Sequence, residues 1–297
     1  MADAAEQERV SAVRRFNRTV TQRVGALEDR YLSSDRPLGQ ARVLWEIGAD
    51  GGDITALRAR LDLDSGYLSR LLRALEADGL VRVEAHGSDR RERTAVLTKA
   101  GRAEWRRLDR GSDRLASGIL APLTAAQRDD LVASMARVER LLIASMVEIA
   151  PTSPSDPVAR HCLRSYYREL ADRFSGGFDP DVALPVTDDD MTPPHGVLLV
   201  ARLHDEGVGC GVLKFEPHQP PYLKRMWVAP SVRGLGLGLR LLTELESAAA
   251  ATGATSLRLE TNRALSEAIE MYRKHGYREV APFNDEPYAH HWFVKDL

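Results

Sequence analysis

Residues 228–262 read VAPSVRGLGLGLRLLTELESAAAATGATSLRLETN. A strand-like run closes at Val228-Ala229-Pro230, and a glycine-rich turn from Ser231 to Gly238 opens a long amphipathic helical pattern over 236–252. A second strand-like run follows at 255–261. Glycines let a backbone approach an anion closely, and the unpaired N–H groups of a helix start then bind it. Spacing sorts the candidate motifs. Gly234, Gly236 and Gly238 do not make G-x-G-x-x-G, because position 241 is Leu, and no lysine follows in the place that a phosphate-cradling G-K-[ST] loop requires. What remains is Arg233-x-x-Gly236-x-Gly238 between a strand and a helix.

Outward from this stretch, strand-like runs at 196–202, 208–215 and 222–229 come before it and a helical pattern at 264–275 comes after. Residues 151–157, PTSPSDP, hold three prolines and read as a linker. Ahead of the linker the pattern is helical, with one strand-like interruption around 80–98. The 297 residues therefore divide into two domains, expected at 1–150 and 160–297 with a linker at 151–159. The hydrophobic share of 43% excludes a wholly disordered chain. No apolar run approaches the roughly 18 residues of a membrane helix. The start, MADAAEQERVSAVRRF, lacks the apolar core of a secretory signal. Cys162 and Cys210 alone cannot make a disulfide framework or a cysteine-rich zinc site. His290 and His291 are adjacent and point to opposite faces of a strand, which is poor metal geometry. A cytoplasmic protein with no metal and no membrane contact is expected.

Net charge is -2, unevenly spread. Residues 1–150 carry 25 Lys+Arg against 23 Asp+Glu, residues 151–297 carry 16 against 20, and 58–114 carry 14 against 10. Basic charge gathers in one segment, where a phosphate-facing surface would lie. That segment contains a helix over 53–61, a turn at Asp62 to Asp64, and a helix from Ser65 with Leu68, Leu71, Leu72 and Leu75 inward. Ser65, Gly66, Tyr67, Ser69, Arg70 and Arg73 face out, the small and cationic set that suits a major groove. Gly79 ends the helix, and LVRVEA and RTAVLT form a hairpin whose tip carries Arg90, Arg91 and Arg93, which suits insertion into a minor groove; taken alone, a solvated turn is the preferred reading. Two flanking helices carry apolar stripes: Val10, Val13, Phe16, Val20, Val24, Leu27 and Tyr31, and Leu131, Met135, Val138, Leu142, Met146 and Ile149. They form an internal core or pair with a second copy, and the second reading is preferred.

The segment 61–101 resembles the winged helix of the MarR family of bacterial regulators, whose wing pattern is met by Asp89, Arg91, Leu97, Thr98 and Gly101. The resemblance implies a homodimer interlocked through its N- and C-terminal helices, bound to double-stranded DNA through helix 65–76 and the wing at 86–93, with Asp89 orienting wing arginines.

The 228–262 stretch, with LKRMWVAP before it and AIEMYRKHGY after it, resembles the GNAT acetyltransferases. The fold class expected is therefore multi-domain: a mainly-α winged helix-turn-helix domain, then an α/β domain with a mixed, splayed central sheet. The resemblance implies acetyl-CoA as cosubstrate and a small amine as acceptor. Met226, Trp227 and Val228 would align the pantetheine arm, and amides from Arg233, Gly234, Leu235, Gly236, Leu237, Gly238 and Leu239 would hold the diphosphate. Asn262 would bond the arm or a water, with a strand-end turn cap as the other reading, and Tyr272 would be the acid for the leaving thiolate, with core packing as the other reading. Many relatives place a glutamate where this chain has Tyr222; the base stays open among Glu216, Glu260, Asp285 and Glu286, or none. Asn284 and Tyr288, in a tail rich in polar and aromatic residues, are candidates for the acceptor pocket, with a simple capping strand as the other reading. The functional expectation is a DNA-binding regulator that is also an N-acetyltransferase. The rivals are a regulator that senses acetyl-CoA without turnover, and an acetyltransferase whose winged helix only dimerises it.

Overall fold

The computed structural model describes residues 2–26, 32, 36–85 and 93–297. They form two compact units, Met1–Ser134 and Met135–Leu297.

The first unit begins with helix α1 (Ala2–Arg23), followed by α2 (Leu38–Ile47), the short strand β1 (Gly52–Asp53), α3 (Ile54–Leu61) and α4 (Ser65–Ala77). Asp53 and Asp64 cap α3 and α4, accepting from the N–H groups of Ala56 and Tyr67, each at 2.8 Å. Leu68, Leu71, Leu72 and Leu75 of α4 are buried against Leu44, Ile47 and Leu57, as their spacing predicts. Helix α4 stops in a Schellman turn: Leu80 N–H donates to Leu75 C=O at 3.0 Å and Gly79 N–H to Glu76 C=O at 2.9 Å, with Gly79 at φ +67°. Strands β2 (Val81–Ala85) and β3 (Arg93–Leu97) pair antiparallel, with β1 on the far side of β3. The hairpin tip, with Asp89, Arg90 and Arg91, lies outside the described residues, as do Leu27 and Tyr31.

The Leu97-Thr98-x-x-Gly101 sequence has a plain physical job. Thr98 caps α5 (Lys99–Leu120) by accepting from Gly101 N–H at 3.0 Å, and its hydroxyl donates to Gly79 C=O at 2.7 Å. A Cβ at Gly101 would sit 1.9 Å from the Leu80 carbonyl oxygen, so only glycine lets the helix lie this close. Among the described residues, the stripes of α1 and α6 do not form an internal core. Val13 and Phe16 of α1 are 57% and 48% exposed, and α6 (Ala125–Met146) has no buried residue.

In the second unit, α6 stops at Met146, so Ile149 is not part of its stripe; it lies in β4 (Glu148–Pro151), which pairs antiparallel with β5 (Gly196–Leu203). The expected linker is therefore shorter than 151–159. Pro151 ends a strand, Pro154 is buried, and Pro157 opens α7 (Pro157–Arg173), capped by Asp156. Strands β6 (Glu206–Lys214), β7 (Tyr222–Val228), β8 (Ser256–Thr261), β9 (Arg278–Val280) and β10 (His291–Asp296) complete a seven-stranded sheet of order β4-β5-β6-β7-β8-β10-β9. Every neighbour is antiparallel except β7 and β8. Helix α8 (Leu237–Ala250) packs Leu241, Leu242 and Leu245 into a core with Leu213, Leu259 and Phe293, and α9 (Ser266–Lys274) follows β8. Among the described residues no helix is long and apolar enough to cross a membrane.

Candidate active site

The parallel pair β7 and β8 is joined only at Tyr222–Arg258 and Leu223–Leu259. Beyond Leu223 the strands part, and the cause is local. Between Cys210 and Val212 on β6 the register of β7 advances by an extra residue, and Arg225 sits in that bulge at φ +54°. The bend leaves the edge of β7 at Met226 to Val228 without a strand partner on the β8 side.

A cavity of about 190 Å³ fills the gap, walled by Tyr166, Glu169 and Leu170 of α7, Met226 to Val228, Gly238, and Met271 and Tyr272 of α9. The start of α8 opens beside it. Gly234 and Gly236 adopt φ +76° and +78°, the helix has no side-chain cap, and the main-chain N–H groups from Gly234 to Leu239 find no acceptor among the described residues. Such a row of amides at a helix N-terminus favours an anion. Arg233 departs from expectation. Its amide donates to Pro230 C=O, and its guanidinium turns back to Val228 C=O at 2.9 Å and Glu169 Oε2 at 2.5 Å. Glu169 also accepts from Trp227 Nε1 at 2.9 Å, so Arg233 braces the end of β7 rather than reaching toward the free amides.

Tyr272 is 5% exposed, with its hydroxyl 3.8 Å from Met226 Sδ. Burial, reinforced by the negative charge of Glu260, pushes the phenol well above its ordinary pKa, so it stays protonated. It also packs against Tyr277 and Phe293, so its core role and its place on the cavity wall coexist. Asn262 is an internal clamp: its amide nitrogen donates to Tyr288 C=O at 2.7 Å and its oxygen accepts from Ala264 N–H at 2.9 Å.

A second, smaller cavity shares Tyr166, Leu170 and Leu265 with the first. Phe174, Phe178, Lys224, Arg225, Glu260, Glu286 and Tyr288 also line it. Tyr288 therefore reaches a cavity as expected. Asn284 is not in its wall; it donates to the Tyr222 hydroxyl at 2.6 Å and accepts from Trp292 Nε1 at 2.8 Å. Of the four carboxylates left open as base, Glu216 is held by Arg258 and Lys214, and Asp285 is exposed. Glu260 and Glu286 both meet the Lys224 ammonium, at 3.3 and 3.2 Å. Burial raises the pKa of Glu260, with the Lys224 charge opposing that rise. Helix α7, which supplies Tyr166, Glu169, Leu170 and Phe174 or its flank, is not among the elements that the sequence patterns above anticipate. Its signal is nonetheless present: Asp156-Pro157 is a cap followed by a first-turn proline, and Ala159, Cys162, Tyr166 and Leu170 recur at helical spacing.

In the first unit, Ser65, Gly66, Tyr67, Arg70 and Arg73 are exposed on α4, Ser69 is half-buried, and Arg93 is exposed at the start of β3. The Arg70 guanidinium lies 5.5 Å from the Tyr67 ring centroid.

Comparison with known proteins agrees with both units. The model of the acetyltransferase (GNAT) family matches residues 163–277, and the model of the MarR family matches 34–92. An IAA acetyltransferase of Azospirillum brasilense is 36% identical over 124 residues, covering 41% of this chain and 79% of its own. An uncharacterised N-acetyltransferase of Schizosaccharomyces pombe is 29% identical over 131 residues, covering 41% of this chain and 80% of its own. The crystal structure of a GNAT-family acetyltransferase from Staphylococcus aureus is similar over 51% of this chain and 99% of its own, at 17% identity and a TM-score of 0.40. The splayed sheet with its uncapped glycine turn is thus the acetyltransferase half of the molecule: the chain belongs to the GNAT acetyltransferase family and carries a MarR-family domain ahead of it.

Proposed function

We propose that this protein is a dimeric DNA-binding regulator that also transfers acetyl from acetyl-CoA to a small amine. One juxtaposition carries the enzymatic half: the unpartnered edge of β7, the uncapped start of α8 and the buried phenol of Tyr272 meet around one cavity. In this reading the edge at Met226 to Val228 receives the pantetheine arm as an added strand. The amides of Gly234 to Leu239 bind the diphosphate. Glu260 takes the proton of the acceptor ammonium, the freed nitrogen bonds to the thioester carbon, and the carbon–sulfur bond breaks. Tyr272 donates to the departing thiolate, and the second proton, shed by the nitrogen as the amide forms, returns to the Tyr272 oxygen. Burial raises the pKa of Glu260 above the ordinary carboxylate value, which supports it as the proton acceptor in this reading and favours turnover over sensing alone. Calorimetric titration of the intact protein with acetyl-CoA should saturate at one molecule per chain, and free amines should then release coenzyme A. A flat titration on folded protein sinks the enzymatic reading.

For the first unit, the exposed polar face of α4 and the arginine-bearing hairpin support insertion into duplex DNA. The exposed stripes Val10, Val13, Phe16 and Val20, and Met135, Leu142 and Met146, support pairing with a second copy. Sedimentation should give two copies per particle. Arg73→Ala should weaken binding to a fragment containing the operator and flatten the plot of log affinity against log salt by about 1 for each phosphate that is no longer neutralised. An unchanged slope removes Arg73 from the interface.

A further inference from the structure

The smaller cavity holds three features that the acetyl donor does not use. The first is a pair of buried carboxylates. The side chains of Glu260 and Glu286 are only 6% and 8% exposed, and although Lys224 bridges them, Glu260 Oε2 and Glu286 Oε1 have no hydrogen-bond partner among the described residues. A carboxylate oxygen buried without a donor is strongly unfavourable. An ammonium brings three N–H donors and satisfies both.

The second is Arg225. Its guanidinium stacks 5.1 Å from the Tyr167 ring centroid, its nearest polar contact is the Met191 thioether at 3.9 Å, and no carboxylate of the described residues lies within ion-pair distance. A guanidinium fork in a half-buried, aromatic wall is a receptor for a planar anion. The third is the remaining wall, which Leu170, Phe174 and Phe178 make apolar. The enclosed part of the cavity, which opens to solvent, measures about 80 Å³, roughly half the ~150 Å³ of a dry protein cavity that admits benzene, so it holds a side chain and not a whole amino acid. An aliphatic side chain fits such a space better than an indole.

We propose that the acceptor is a free α-amino acid with an aliphatic side chain of leucine or methionine size. Its ammonium enters between Glu260 and Glu286, its carboxylate bonds Arg225, and its side chain lies against Phe174 and Phe178. The inference rests on the acetyl-CoA reading of the adjoining cavity. A simple alkylamine answers the two glutamates and leaves Arg225 without an anion; a protein N-terminus has no carboxylate at the α-position to offer.

The test uses the intact protein at saturating acetyl-CoA and reads coenzyme A release. L-leucine and L-methionine should exceed 3-methylbutylamine, the decarboxylated counterpart of leucine, by at least about a hundredfold in kcat/KM, because a site built to bond a group rejects the analogue lacking it. Arg225→Gln should raise the KM for leucine by about tenfold or more with the acetyl-CoA dissociation constant unchanged. Equal turnover of leucine and 3-methylbutylamine overturns the proposal without need of any variant, and so does an Arg225→Gln protein with the original KM. Acetyl-CoA that binds while no amino acid is turned over overturns the acceptor and spares the donor site; acetyl-CoA that does not bind overturns both.

Discussion

Exchanging Tyr272 for phenylalanine is expected to lower kcat about a hundredfold, with the acetyl-CoA dissociation constant shifted by no more than a few-fold. The change removes one hydroxyl and keeps the ring that packs on Tyr277 and Phe293, so the core of the second unit stays filled. Among the described residues the hydroxyl meets only the Met226 thioether, at 3.8 Å, so no buried oxygen or nitrogen acceptor there is orphaned by its loss. In the proposed mechanism, what disappears is the proton donor to the departing thiolate. The pH profile separates this role from packing. Turnover should fall as pH drops through the pKa of Glu260, which burial places above the usual carboxylate value, because the protonated form cannot accept a proton. Tyr272→Phe should keep that acidic limb while scaling the whole curve down. Turnover equal to that of the unaltered protein takes Tyr272 out of the chemistry; a matching loss of acetyl-CoA affinity marks it as a wall residue instead.

The second large effect lies in the first unit. Gly101→Ala should destabilise it by about 3 kcal/mol or more and abolish binding to DNA. The added Cβ would stand 1.9 Å from the Leu80 carbonyl oxygen and 2.9 Å from its carbon. Both atoms belong to the backbone that closes α4 and opens β2, so no side-chain rotation relieves the clash. Moving α5 away breaks the Thr98 hydroxyl's bonds to Gly79 and Gly101 and uncovers Leu108. Thermal unfolding followed by helical circular dichroism should show an earlier transition, while acetyl-CoA uptake by the second unit persists. Gly118→Ala, on the same helix with nothing within 4 Å of its added Cβ, is the control and should melt as before. An undisturbed melt for Gly101→Ala defeats the argument.

Much of this is legible in the residues because the deciding features are local. The leucines of α4, the glycine that ends it, the Thr98 cap and the glycine turn of α8 each depend on neighbours within a few positions. Strands β5 to β8 are readable from short apolar runs for the same reason, whereas β4 and β9 are too short to show one. What escapes depends on distance. Glu260, one of four candidate bases in the sequence, is set apart by its burial and by Lys224, which β7, 36 residues earlier, brings across from it. Glu169 has its meaning from Trp227 and Arg233, on the strand and turn that α7 packs against. The inward turn of Arg233 does not follow from a motif that specifies its presence and not its rotamer. Ile149 continues a helical rhythm that the chain breaks after Met146, since the sheet offers its edge at β5 and Ile149 packs into that core.

The order of strands has a consequence for how the molecule is made. β10 comes last in sequence yet lies in the interior of the sheet, between β8 and β9, with Phe293 fully enclosed. While the chain is still emerging from the ribosome, β8 has an open flank and β9 has nothing to join. Closure must wait for residues 291–296 to leave the exit tunnel, long after the first unit has all its own segments. A nascent chain stalled short of that point would present the apolar flank of β8 to its surroundings, which is where chaperone capture or clumping would begin.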